Sequence, residues 1–137
     1  MKIQTQKERD YLEITSQVKE AVEKSTLKDG VVLVRSMHTT AAITINENVD
    51  DFVPKDLLEY LEKIAPTRSD YRHNTYLRFS GAGTDTGAAH VHASLIGSGT
   101  ILPLENGEVK MGDFEGIYFL EFSGPRERKV MVQILGE

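Results

Sequence analysis

Four histidines, His38, His73, His90 and His92, carry most of the chemistry that this 137-residue sequence offers. Neutral imidazole is a common general base and the commonest metal ligand. His38 follows the run Val31-Val32-Leu33-Val34 and precedes Thr39-Thr40; His73 stands in a polar stretch; His90 follows Ala88-Ala89. Such element ends are where binding residues collect on a rigid scaffold. Three protein ligands and an open fourth position make a catalytic zinc site, so His38, His73 and His90 are a candidate metal set. The plainer alternative is three unrelated, hydrogen-bonded histidines, because no HExxH spacing links them. His90-x-His92 needs its own test. In a strand both rings would face one side; in a helix they point about 200° apart and only one reaches a given site. Val91 and Leu95 at i,i+4, with glycines following, favour the helix. His92 is therefore expected to point away.

Oxygen ligands come next. Asn46-Glu47-Asn48-Val49-Asp50-Asp51 could hold a divalent ion such as Mg²⁺, although it lacks the alternating pattern of an EF-hand loop. Asp50 and Asp51 also suit the start of a helix, whose dipole favours acids. Glu47, just ahead of that turn, is the better catalytic candidate, as a general base on metal-bound water. Arg126 and Arg128, in Gly124-Pro125-Arg126-Glu127-Arg128, could grip a phosphate or carboxylate through bidentate guanidinium bonds, or simply be solvated turn residues. Ser98, between Gly97 and Gly99, offers a hydroxyl and backbone N–H groups to an anion. There is no P-loop, dinucleotide fingerprint or G-x-S-x-G elbow. With no cysteine, disulfides, thiolate metal sites and a cysteine nucleophile are excluded.

Several elements would have to position these residues. Two short extended pieces open the chain, near Lys2–Gln6 and Arg9–Ile14. Thr15 or Ser16 caps a helix to about Ser25, with Val18, Ala21 and Val22 on one face. Val31–Val34 and Ala41–Asn46 read as strands. Asp50 or Asp51 caps a second helix with Pro54 in its first turn, Leu57, Leu58, Leu61 and Ile64 at helical spacing, and Pro66 at its end. Thr67 to Thr86 reads as a polar stretch, and Asp85–Ile96 as a third helix. The remainder is β: Thr100–Pro103, an Asn106-Gly107 hairpin turn, Val109–Met111, Gly116–Glu121 and Arg128–Leu135. Strands and helices mix without βαβ regularity, so one α+β domain spanning 1–137 is expected. The terminal strand, Val130 to Leu135, is apolar at nearly every position, which predicts burial of both faces and a partner subunit to cover one of them.

A net charge of −5 argues against nucleic acid or anionic lipid as a partner of the whole protein. The charged start MKIQTQKERD lacks the apolar run of a signal peptide, and no stretch approaches a membrane span, so a cytoplasmic protein is expected.

Taken together these segments resemble the YjbQ-like family, often labelled secondary thiamine-phosphate synthases. His38-Thr39-Thr40-Ala41-Ala42-Ile43-Thr44-Ile45-Asn46-Glu47 is similar to that family's HT[TS]A…TINE signature. The acidic pair, the Leu-rich helix ending at Pro66, Tyr71-Arg72-His73, Ala89-His90, Gly97 to Pro103, and Gly124-Pro125-Arg126 follow in order. Phe114 and Ser123 stand where relatives usually carry Trp and often Asp. The resemblance implies a compact β-sandwich of mostly antiparallel strands with about three helices, assembled as a homotrimer. It implies a pocket of His38, Glu47, His73 and His90, with Thr39, Thr40, Asn46, Ser98 and Arg126 as substrate-binding residues. The implied reaction joins a pyrimidine pyrophosphate to a thiazole phosphate and releases pyrophosphate, chemistry that calls for Mg²⁺ and cationic groups at the leaving group. Two other readings remain open: a metal-dependent enzyme, such as a hydrolase, using Zn²⁺, and a non-enzymatic small-molecule-binding module.

Overall fold

The computed structural model describes residues 1–68 and 70–137. Ser69, in the stretch read as polar from sequence, lies outside them. Two antiparallel sheets form the frame. The larger has five strands in the order β1 (Lys2–Gln4), β8 (Glu127–Gly136), β3 (Gly30–Ser36), β5 (Gly99–Glu105) and β6 (Glu108–Val109). The smaller has three, β2 (Asp10–Glu13), β7 (Glu115–Glu121) and β4 (Ala41–Glu47). This is the expected α+β sandwich of antiparallel strands.

Alternation along β7 explains the layering. Ile117 and Phe119 face the large sheet and meet Val32, Val34, Leu102, Leu104 and Val130 in the main core. Tyr118, Leu120 and Phe122 face the other way, onto Ala42, Leu61, Ala89 and Ala93 from the helical side. A strand buried on both faces reads as a continuous apolar run, as Ile117-Tyr118-Phe119-Leu120 does.

Four helices are present among the described residues: α1 (Thr15–Ser25), α2 (Phe52–Ile64), α3 (Arg72–Ser80) and α4 (Gly87–Ile96). The third was not legible in the sequence. Its only buried residue is Asn74, whose Oδ1 accepts from Gly87 N at 2.7 Å and whose Nδ2 donates to the Arg68 carbonyl. A helix pinned by one amide has no apolar period to reveal it. Gly87 is obligatory at that contact, since a Cβ there would lie 2.6 Å from the Tyr71 side chain. The expected caps also differ. Thr15 is already helical and its hydroxyl accepts from Ile117 N at 2.9 Å, fixing α1 to β7 instead of capping it. At α2 the Asp50 carboxylate accepts from Phe52 N at 2.7 Å. Asn106 and Gly107 both have positive φ, 54° and 81°, as the expected hairpin turn requires.

Within one chain the terminal strand is not buried on both faces. Val130 lies in the core, whereas Met131 and Leu135 share an uncovered outer face of the large sheet with Val31 and Ile101; Ile101 is 65% and Leu135 53% exposed. No helix among the described residues is long and apolar enough to cross a membrane.

Candidate functional site

The site lies where β3 hands over to β4. β3 ends at Ser36, whose buried hydroxyl accepts from His38 N at 3.3 Å, and β4 starts at Ala41. The turn between them, Met37 to Thr40, is held from behind by β8. Lys129 N donates to His38 Nε2 at 2.7 Å. That bond occupies the Nε2 lone pair, so the neutral ring carries its proton on Nδ1. His38 is thereby set as a hydrogen-bond donor. Burial lowers its pKa, and the nearby Arg128 guanidinium adds to the effect.

Behind this turn sits a buried ion pair that sequence reasoning missed. The Arg128 guanidinium binds Glu121 through two bonds, Nε to Oε2 at 2.7 Å and Nη2 to Oε1, and Nη2 also donates to Thr40 Oγ1 at 2.8 Å. Glu121 further accepts from Thr5 Oγ1 at 3.0 Å and from Ser123 N at 3.0 Å. Charged residues are almost never fully buried unless paired. A glutamate inside the apolar run Ile117 to Phe122 was the available signal. Thr40, expected to bind substrate, spends its hydroxyl here. The Gly124-Pro125-Arg126 turn is tied to the same network, because Gly124 N donates to the Glu8 carbonyl at 2.9 Å and Arg126 N to Thr5 Oγ1 at 2.9 Å. A Cβ at Gly124 would lie 2.3 Å from the Lys7 carbonyl oxygen, so glycine is required.

α4 brings in His90, and α3 brings His73 edge-on against it, with ring centroids 4.8 Å apart and planes at 88°. Burial lowers the pKa of His90, the neighbouring His73 lowers it further, and the Thr39 backbone opposes both. The ring is neutral at pH 7. His92, two residues on, is 1% exposed; its Nε2 bonds the Ala65 carbonyl at 2.8 Å and its ring meets Phe122 edge-on at 5.4 Å. It joins α4 to the end of α2 and takes no part in the site, as the helical phase predicts.

Two hollows flank a ridge formed by Met37, His38, Thr39 and His90. One, of about 400 Å³, is walled by Thr40, Arg126, Arg128 and the loop bearing Ala82, Gly83, Thr84 and Thr86. The other, of about 630 Å³, is walled by Arg35, Ser36, Ala93, Ser94, Gly97 and Ser98. Among the described residues neither contains a carboxylate, although the chain has 21 Asp and Glu residues and only 16 Lys and Arg. In a protein of net charge −5, the polar side chains that line both hollows are arginine, hydroxyl and imidazole groups alone among the described residues.

The expected set divides accordingly. His38, Thr39, Thr40, His90, Ser98 and Arg126 converge, and His73 touches His90. Asn46 and Glu47 stand at the opposite end of β4, five and six residues from Ala41, which is about 17 and 20 Å at a rise of ~3.3 Å per residue. Within one chain they do not reach the histidines. Among the described residues no three His, Cys, Asp or Glu side chains are placed to share a metal ion. The three-histidine zinc set is thus not assembled in one chain, and His38 Nε2 is already engaged by an amide. Mg²⁺ fits no better at the ridge, which lacks carboxylate ligands.

A two-sheet α+β sandwich with a His-Thr-Thr turn between its layers defines a recognisable class of protein. The whole chain, residues 1–137, matches the family described as UPF0047 protein YjbQ-like, and it belongs to that family. A UPF0047 protein of Archaeoglobus fulgidus is 38% identical over 97% of both chains. YugU of Bacillus subtilis is 34% identical over 99% of this chain and 97% of its own. Among solved structures, a YjbQ/UPF0047-family protein of Clostridium acetobutylicum superposes with a TM-score of 0.87 at 43% identity over 98% of both chains. A YjbQ-like protein of unknown function from Sulfolobus solfataricus gives a TM-score of 0.91 at 31% identity, covering 100% of this chain and 94% of the other.

Proposed function

We propose that the chain is an enzyme acting on a phosphorylated small molecule, with the anion held by Arg126 and the His38 Nδ1–H and with His90 as proton acceptor. The observation that carries this reading is the absence of any carboxylate from the two hollows around the histidine ridge, which instead present arginine and hydroxyl groups. Arg126 is held in place by its own turn, Nε donating to the Ser123 carbonyl at 2.6 Å, which leaves a preformed cation at the mouth of the smaller hollow. Fixed donors aimed at developing negative charge are the largest single source of rate in many enzymes. A neutral His90 accepts a proton at pH 7 without first losing one. Phosphorylated-substrate transfer of the thiamine-phosphate-synthase type, in which the C–O bond to pyrophosphate breaks as the thiazole ring nitrogen forms a C–N bond, is the specific reaction this reading puts first. The ring nitrogen has no proton to lose, so in that step His90 positions the thiazole ring, and its proton-accepting role applies to an O–H or N–H nucleophile. A homotrimer belongs to the proposal as well: the uncovered apolar face of the large sheet supports self-association, and the number three comes from the family resemblance.

The test is binding and turnover on one protein sample. Calorimetry with a pyrimidine pyrophosphate and a thiazole phosphate, each alone, should show binding that falls at least about tenfold in Arg126→Gln, the loss of roughly one charge-assisted bond. Thiamine phosphate formation should fall in His90→Gln with binding retained. No affinity for any phosphorylated compound in the wild type would overturn the reading. Binding without turnover would leave a non-enzymatic binding module. Stoichiometric metal in the purified protein, lost together with activity in His73→Ala, would favour the metal-dependent alternative, whose missing ligands would then come from a neighbouring subunit.

A further inference from the structure

We propose that the larger hollow is a second anion subsite centred on Arg35, so that one chain takes two acidic groups, one on each side of the His38-Thr39-His90 ridge. The inference rests on the anion reading of the smaller hollow and extends it to the substrate's shape. Its ligand is an elongated molecule with an acidic group at each end, or two anionic molecules that meet at the ridge.

Three features of the structure support it. First, Arg35 has no acidic partner. Among the described residues it forms no ion pair, whereas Arg9, Arg68 and Arg128 each hold a carboxylate. Its neighbours in the hollow, Ser94, Ser98 and Thr39, likewise donate no side-chain hydrogen bond to protein among the described residues. A cluster of donors with no protein acceptor suits an acceptor-rich ligand. Second, the wall is rigid. Ser36 N donates to the Ser98 carbonyl at 2.7 Å and Ile43 N to the Gly97 carbonyl at 3.2 Å, so the Gly97-Ser98 link is fastened to both β3 and β4. Gly97 has φ +102°, and a Cβ at Gly99 would lie 2.7 Å from the Val34 carbonyl oxygen. The two glycines that frame Ser98 are thus needed for α4 to turn directly into β5 across Arg35. Third, the two hollows share the ridge. An anion in either one contacts the same two histidines, so groups bound on the two sides face each other across His38 and His90.

The experiment uses the purified full chain and two kinds of probe. Calorimetry with inorganic phosphate should give two equivalents per chain in the wild type, one in Arg35→Gln and one in Arg126→Gln. A series of alkane α,ω-bisphosphonates of increasing length should contain one that binds at least about tenfold tighter than the matching monophosphonate, because linking two sites raises effective concentration. That gain should vanish in Arg35→Gln, be reduced in Ser98→Ala, and be kept in part by Arg35→Lys. Thermal melting confirms that each variant is folded. One phosphate per chain, lost in Arg126→Gln and untouched in Arg35→Gln, would overturn this inference and leave the proposed function standing. No phosphate bound at all would overturn both. A change of oligomeric state in Arg35→Gln with both equivalents retained would make Arg35 an interface residue and would also overturn it.

Discussion

Removing Arg128 should do more damage than removing both it and its partner. Glu121 is fully buried and Arg128 almost so, and they share two hydrogen bonds. In Arg128→Met the Glu121 carboxylate keeps only Thr5 Oγ1 and Ser123 N as donors. Leaving one charge of a buried pair uncompensated costs about 3–5 kcal/mol. Against a typical total of about 5–15 kcal/mol, that is a large share. Glu121→Leu with Arg128→Met removes both charges and replaces them with apolar volume, a change that is often neutral or stabilising. Here it still deprives Thr40, Thr5 and Ser123 of a partner each, at about 1 kcal/mol per bond. The double variant should therefore lie nearer the wild type than Arg128→Met does, with a coupling energy above about 2 kcal/mol in urea denaturation at pH 7. The His38–Lys129 bond provides a second readout. Lys129 follows Arg128 on β8, so loss of the pair should loosen the register there, and ¹⁵N chemical shifts should show His38 leaving its Nδ1–H tautomer. Single and double variants that add within about 0.5 kcal/mol would refute the argument.

Stability should fall on acidification below about pH 6.5. His38, His90 and His92 all have lowered pKa values, chiefly through burial, so the unfolded chain takes up protons that the folded chain refuses. The stabilisation is full above the unfolded value near 6.5 and declines towards the folded values, by up to ~1.4 kcal/mol per pH unit for each ring; urea midpoints flat between pH 7.5 and 5.5 would contradict this. His92→Ala should lower stability by about 1–3 kcal/mol through a lost buried bond and ring contact while leaving phosphate binding and turnover intact, and His90→Ala should lower turnover with phosphate binding retained and stability near the wild type; turnover assays beside urea melts separate them. Ile101→Asp, on the uncovered sheet face, should turn a trimer into smaller species in light scattering with little change in the far-ultraviolet spectrum, and a wild-type monomer at micromolar concentration would remove the trimer from the proposal.

How far the sequence was legible depended on whether a residue's neighbours lie near it in the chain. The strands of the large sheet, the Asn106-Gly107 turn and the Leu-rich helix follow from period and turn chemistry, which are local. The separation of His90 from His92 followed from helical phase, also local. α3 was missed because its anchor is the single amide of Asn74, reaching Gly87 thirteen residues on. Glu47 and Asn46 were placed with the histidines by the family resemblance, but an extended β4 carries them to its far end. The roles of Thr40 and Glu121 depend on Arg128, 88 and 7 residues away, and no periodicity shows such a contact. The two acid-free hollows could not be read from composition, because the whole chain is acidic.

The place of β8 inside the large sheet has a consequence for how the molecule forms. This strand, made after every other described element, does not add to an edge. It inserts between β1 and β3, pairing Lys2 with Lys129 and Gly30 with Gly136. Until it arrives, the N-terminal strand has no neighbour in that sheet, β3 has one open side, and the His38 ring lacks the amide that orients it. Contacts this distant in sequence slow folding, because the chain must close long loops before they return any stabilisation. A ribosome-bound chain short of β8 would therefore expose two unpaired strand edges and have no organised site. Ligand capture should begin only once the final ten-residue strand has zipped into place, and clipping that strand should leave a lone β1 and an open edge on β3, both prone to pairing with other chains.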